Sequence, residues 1–147
     1  DTSIFFSSEG PTCKDAVLVT ISDASFCNEM EDIGMQLEGG HSQQGRVVCL
    51  ATPDFLTAKT AMSHPIVWSS ALITRVCRST LMAEPFAVLK GTSRGTRMRA
   101  ATVDARGLLD IKRWEETSSD NMSHLWTTDC EPLYEHFISS KMNSVDN

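Results

Sequence analysis

From Ala16 to Ile21 the chain reads Ala-Val-Leu-Val-Thr-Ile, β-branched and apolar on both alternating faces. That is the pattern of a central strand covered on both sides. The run ends at Ser22-Asp23. Residues 28–45 are polar and acidic, close with Gly39, Gly40 and Gly45, and give way to Arg46-Val47-Val48-Cys49-Leu50, so a long loop leads into a second strand. Pro53 ends that strand, and Pro65-Ile66-Val67-Trp68-Ser69 predicts a third. Three strands in succession predict an antiparallel meander.

From Ser79 the apolar positions become helix-like: Leu81, Met82, Phe86, Val88, Leu89 and onward to Met98 and Ala101, interrupted at Pro85 and Gly91. One or two helices are expected there. Leu125-Trp126-Thr127 predicts a short fourth strand. Thr128 and Glu131, at capping-box spacing ahead of Leu133, Tyr134 and Phe137, predict a last helix. Three strands, a helical segment, a strand and a helix together predict an α/β fold, a mixed sheet with helices on its faces.

Composition adds bounds. At 147 residues and 41% hydrophobic, the chain is the size of one domain with one core. Residues 1–14 mix Ser, Gly and Pro with a short aromatic cluster and read as a linker or N-terminal extension, leaving 15–147 as the domain. No apolar run approaches the roughly 18 residues of a membrane span, and the first residues lack the basic flank of a secretory signal. The expectation is an intracellular protein without a membrane partner. The ends, Asp1 and Asn147, read as those of an excised fragment. The five cysteines are odd in number, scattered, and without a CxxC pair, which favours reduced thiols over a disulfide framework or a zinc site.

The net charge of −6 argues against nonspecific nucleic-acid binding. Its distribution softens that objection. Residues 71–113 hold nine bases against three acids, a local balance of +6, which leaves −12 for the rest of the chain. A basic face on an acidic body and a solvated helix surface explain this equally cheaply.

Three acids stand near element ends: Asp23 after the first strand, Glu84 in the helical segment and Asp129 after the fourth strand. Singly, each has an ordinary explanation: a turn residue, a solvated helix Glu and a helix cap. The words around them carry more. Ser22-Asp23-Ala24-Ser25-Phe26-Cys27-Asn28, Ser42-Gln43-Gln44-Gly45, Trp68-Ser69-Ser70, Arg78-Ser79-Thr80-Leu81-Met82-Ala83-Glu84 and Thr128-Asp129-Cys130-Glu131-Pro132-Leu133 occur in this order. In order and content they resemble the ribonuclease H domain of copia-type retrotransposon Pol polyproteins, over roughly residues 16–146.

The resemblance implies a ribonuclease H-like mixed sheet with its first three strands antiparallel and helices on both faces. It implies an endonuclease that hydrolyses the RNA strand of RNA/DNA hybrids beside a reverse transcriptase domain of the same polyprotein, in the cytoplasm, a virus-like particle or the nucleus. Two Mg²⁺ (or Mn²⁺) ions would be held by Asp23, Glu84, Asp129 and, as the fourth acid, Asp146. Such chemistry needs shared oxygen ligands, and hard cations prefer carboxylates. Three features depart from the family. Pro85 stands where a helix former is usual, only Asn147 follows Asp146 so the final helix is missing, and residues 139–144 contain no histidine. Pro85, the missing final helix and the acidic net charge favour an alternative: a catalytically inactive, decayed or repurposed module of the same fold. If the helix starts late enough to put Pro85 in its first turn, Glu84 keeps its direction; if Pro85 kinks an established helix, Glu84 turns away. None of His41, His64, His124 and His136 follows a metal-site spacing. Arg75, Arg78, Arg94 and Arg97 are candidates for backbone contacts to a hybrid, though exposed helix arginines more often do nothing specific.

Overall fold

The computed structural model describes residues 8–29, 41–75, 77 and 79–143. Four strands, β1 (Val17–Glu29), β2 (His41–Ala51), β3 (Ser63–Leu72) and β4 (His124–Thr127), form one sheet in the order β3-β2-β1-β4. The β1–β2 and β2–β3 pairs are antiparallel and β1–β4 is parallel. Three helices complete the α/β fold: α1 (Thr80–Ala105), α2 (Trp114–Asn121) and α3 (Glu131–Asn143). This is the mixed sheet with an antiparallel first half that the hydrophobic pattern predicts.

Alternation along β1 divides the core. Leu18, Thr20, Ser22 and Ala24 face α1, and all four are buried. Leu18 packs with Val48, Leu50, Val103 and Met122; Ala24 packs with Ala83 and Ala87 at the start of α1. On the opposite face Val17, Val19 and Ala51 are covered by Leu125 and by Phe55, from a short 3-10 turn at Pro53–Leu56. Helical structure therefore lies on both sides of the sheet, but unequally. Among the described residues, no helix is long and apolar enough to cross a membrane.

Several boundaries differ from the sequence expectation. β1 does not stop at Ser22-Asp23; it runs on to Glu29, with Asp23 opposite Gly45 and Ala24 opposite Gln44. An antiparallel partner satisfies the backbone of polar residues as well as apolar ones, so the change in side-chain character does not end the strand. For the same reason β2 begins at His41 rather than at Arg46.

The helical segment is one helix of 26 residues that runs through both Pro85 and Gly91. Ser79 caps it, its side chain accepting from the Met82 N–H at 3.3 Å. Gly91 does not break α1 because α1 lies close on the sheet there. A Cβ at Gly91 would meet Thr20 Cγ2 at 3.1 Å, and one at Gly95 would collide with Thr20 and His124. The helix ends in a Schellman motif: Leu108 N–H donates to Val103 O at 3.2 Å and Gly107 N–H to Asp104 O at 2.7 Å, with Gly107 at φ 71°. The polar α2, Trp-Glu-Glu-Thr-Ser-Ser-Asp-Asn, is missed by hydrophobic spacing and is fixed partly by Arg106, which donates to Asn121 O at 3.1 Å. The Thr128/Glu131 capping box does not form. Thr128 Oγ1 instead accepts from Cys130 N–H at 3.2 Å, two residues on, and α3 starts at Glu131.

Candidate metal centre

β4 is short. Its last pair with β1 is Thr127 opposite Ile21, and β1 continues alone on that side. The strand that stops and the strand that runs on leave an open cleft of about 380 Å³ lined by Ile21, Ser22, Asp23, Thr127, Thr128 and Asp129. Asp23 reaches it from within β1 and Asp129 from the turn between β4 and α3. Glu84 arrives from α1, whose small Ala83 and Ala87 let the helix start lie against Ala24.

These three acids meet. One carboxylate oxygen from each of Asp23, Glu84 and Asp129 lies within 4.8 Å of the others. Asp23 and Asp129 are exposed, whereas Glu84 is 3% exposed. Burial pushes the Glu84 pKa up; a backbone hydrogen bond from Ala24 opposes this, and the nearby charges of Asp23 and Asp129 raise it further. The Oε2 of Glu84 is buried and has no hydrogen-bond partner. A carboxylate with a buried, unpartnered oxygen, grouped with two further carboxylates, is a poor arrangement for three anions alone. It is a good one for a divalent cation, and an all-oxygen set suits a hard ion. The cluster therefore fits a metal site, with Asp23, Glu84 and Asp129 as its ligands.

Asp146 and Arg78 lie outside the described residues. Pro85 does not sit in the first turn: α1 begins at Thr80, so Pro85 is its sixth residue and Glu84 is not at the helix terminus. Nor does Pro85 turn Glu84 away. Pro85 and Leu81, whose carbonyl would have accepted from residue 85, both lie on the exposed side of α1, and Glu84 beside them stays inward at 3% exposed.

Sequence reasoning passed over His124. It opens β4 half-buried under α1, with Nε2 2.8 Å from Thr20 Oγ1 and Nδ1 accepting from Trp126 Nε1 at 3.2 Å. Because the indole only donates, Nδ1 carries no proton and Nε2–H donates to Thr20. Burial, with Arg99 adding a like charge, holds its pKa down to about 4. The only sequence signal was a histidine leading into an apolar strand. Its hydrogen bond ties β4 to β1 beneath α1.

No family model, curated protein or solved structure matches this chain. The fold and the site define an α/β protein with an acidic cluster able to hold a divalent cation at the edge of its sheet.

Proposed function

We propose that this chain is a ribonuclease H-type phosphodiesterase of a copia-type retrotransposon polyprotein, hydrolysing the RNA strand of RNA/DNA hybrids beside a reverse transcriptase domain in an intracellular compartment. The observation that carries this proposal is the convergence of Asp23, Glu84 and Asp129, far apart in sequence, with Asp23 and Asp129 lining one open cleft. The same three positions carry the acids in the words that resemble the family. The proposed cofactor is a pair of Mg²⁺ (or Mn²⁺) ions, with Asp146 as a further ligand. Bound there, such ions supply charge stabilisation and an activated water.

The chain's own contribution is placement. Glu84 presents a buried oxygen that needs a cation to offset its desolvation, with Ala24 orienting the carboxylate. Asp23 and Asp129, exposed on the cleft, face the direction from which a phosphodiester would approach. Recognition through backbone shape and 2′-hydroxyls, rather than base sequence, suits a cleft this open. Pro85 gives no support to an inactive module, because Glu84 stays within the cluster.

The test is cleavage of a labelled RNA/DNA hybrid in Mg²⁺ or Mn²⁺, with duplex RNA and duplex DNA as controls. Metal-dependent cutting of only the hybrid is the expected result. Failure to cut any substrate in either ion would leave the inactive module standing.

A further inference from the structure

Helix α1 separates two environments. Val88 looks toward β4 and α3, beside the carboxylate cleft, whereas Phe86, Leu89 and Lys90 look toward the ends of β2 and β3. There a hollow of about 470 Å³ is lined by Gln44, Thr74, Arg75, Phe86, Leu89 and Lys90 among others. The Arg75 guanidinium lies 5.6 Å from the centre of the Phe86 ring. Gln44 is only 7% exposed, and its Oε1 is buried without a hydrogen-bond partner.

The same face of the sheet carries two more such atoms. Arg46, two residues along β2, has a buried Nε without a partner, and so has the Oγ of Ser69, its cross-strand neighbour on β3. Unpaired buried polar atoms are rare in native proteins, and of these three Gln44 Oε1 belongs to a side chain that lines the hollow, where a ligand can complete it. The surrounding charge is basic. Lys90, Arg94 and Arg97 are exposed and spaced four and three apart, on one side of α1. Among the described residues, none of Arg46, Arg75, Lys90, Arg94 and Arg97 forms an ion pair. Arg75, Lys90, Arg94 and Arg97 all come from the +6 segment of the sequence.

We propose that this hollow binds a ribose phosphate, its phosphate on Arg75 and Lys90 and a sugar hydroxyl donating to Gln44 Oε1. A bare phosphate would satisfy the cations and leave Gln44 unpaired, since a phosphate dianion has no proton to donate. A hydroxyl beside the phosphate completes both. Phe86 and Leu89 supply an apolar wall for the sugar or base. Arg94 and Arg97 extend the positive surface along α1. A free nucleotide and the backbone of an RNA strand share this chemistry. The site uses none of the acidic cluster, so it stands or falls apart from the proposed nuclease activity.

Fluorescence anisotropy in EDTA tests it, with labelled single-stranded RNA, DNA of the same sequence, and AMP as competitor. RNA is expected to bind more tightly than DNA. Lys90→Gln and Arg75→Gln should each weaken RNA binding roughly tenfold, as for a lost charge-assisted hydrogen bond. Each should also flatten the salt dependence by about 0.7 in the log–log slope. Gln44→Leu should bring RNA down to the affinity of DNA, with its melting temperature checked beside it. Competition by AMP assigns the site to free nucleotides as well; binding of RNA without competition assigns it to the strand. Lys90 is exposed, so its substitution tests the site even where Gln44→Leu does not fold. RNA affinity unchanged in both Lys90→Gln and Arg75→Gln, or no binding of either RNA or AMP by the parent protein, would overturn the proposal. That result leaves the carboxylate centre untouched, because the assay excludes metal.

Discussion

The two ends of β1 are built to opposite requirements. At its first end Leu18 and Val19 are fully buried between layers, and their packing is apolar on both faces. Five residues on, Ser22 and Ala24 still face α1, but Asp23 projects into an open cleft with two other carboxylates. The apolar end contributes stability and no chemistry. The acidic end costs stability in the absence of a cation, because like charges share a small volume and Glu84 is desolvated. One continuous strand joins the two, so the stable end holds the repelling end in place.

The largest expected effect breaks the stable end. Leu18→Ala removes a fully buried side chain from the main core and should lower stability by about 3 kcal/mol, read from denaturant melting. Divalent-ion affinity, measured by calorimetry under native conditions, should not change. A large loss of affinity would show that the two ends are not separable.

Next is His124, which lies between the ends. Its folded pKa of about 4 is below the ordinary 6.5, so between those values the unfolded chain takes up a proton that the folded chain refuses. Stability is therefore full above pH 6.5 and falls as the pH drops toward 4. After discounting for its partial exposure, the loss is on the order of 2 kcal/mol. His124→Gln should flatten the melting temperature against pH across that window. A profile unchanged by the substitution would remove His124 as its cause.

Pro85→Ala restores an α1 hydrogen bond at an exposed position, and should raise stability by at least the net value of one such bond, about 1 kcal/mol. Metal affinity should stay as it is, because Glu84 is already turned inward. Affinity that appears only after the substitution would favour the inactive module.

The smallest change in stability sharpens the contrast most. Asp23→Asn removes one of the repelling charges, so the metal-free protein should melt no lower than its parent while Mg²⁺- or Mn²⁺-dependent cleavage of hybrid is lost. Lost activity together with a lower melting temperature would make Asp23 a structural acid instead.

The sequence determined the strand order along the chain, the antiparallel start and the identity of the three acids that meet. Those signals are local: β-branched runs, an interruption by proline, and short words around Asp23, Glu84 and Asp129. It did not determine that α1 continues through Pro85 and Gly91. Continuity there goes with Pro85 lying on the exposed side of α1 and with the close approach of Thr20 and Ser22 to Gly91, both properties of the packed helix and sheet. The polar extension of β1 to Glu29 also needed a partner strand, because only the ladder with β2 shows that Ser22 to Ser25 remain paired. His124 and the unpartnered row of Gln44, Arg46 and Ser69 were invisible for the same reason. Burial and hydrogen-bond satisfaction depend on neighbours distant in sequence, and only the tertiary structure decides which neighbours those are.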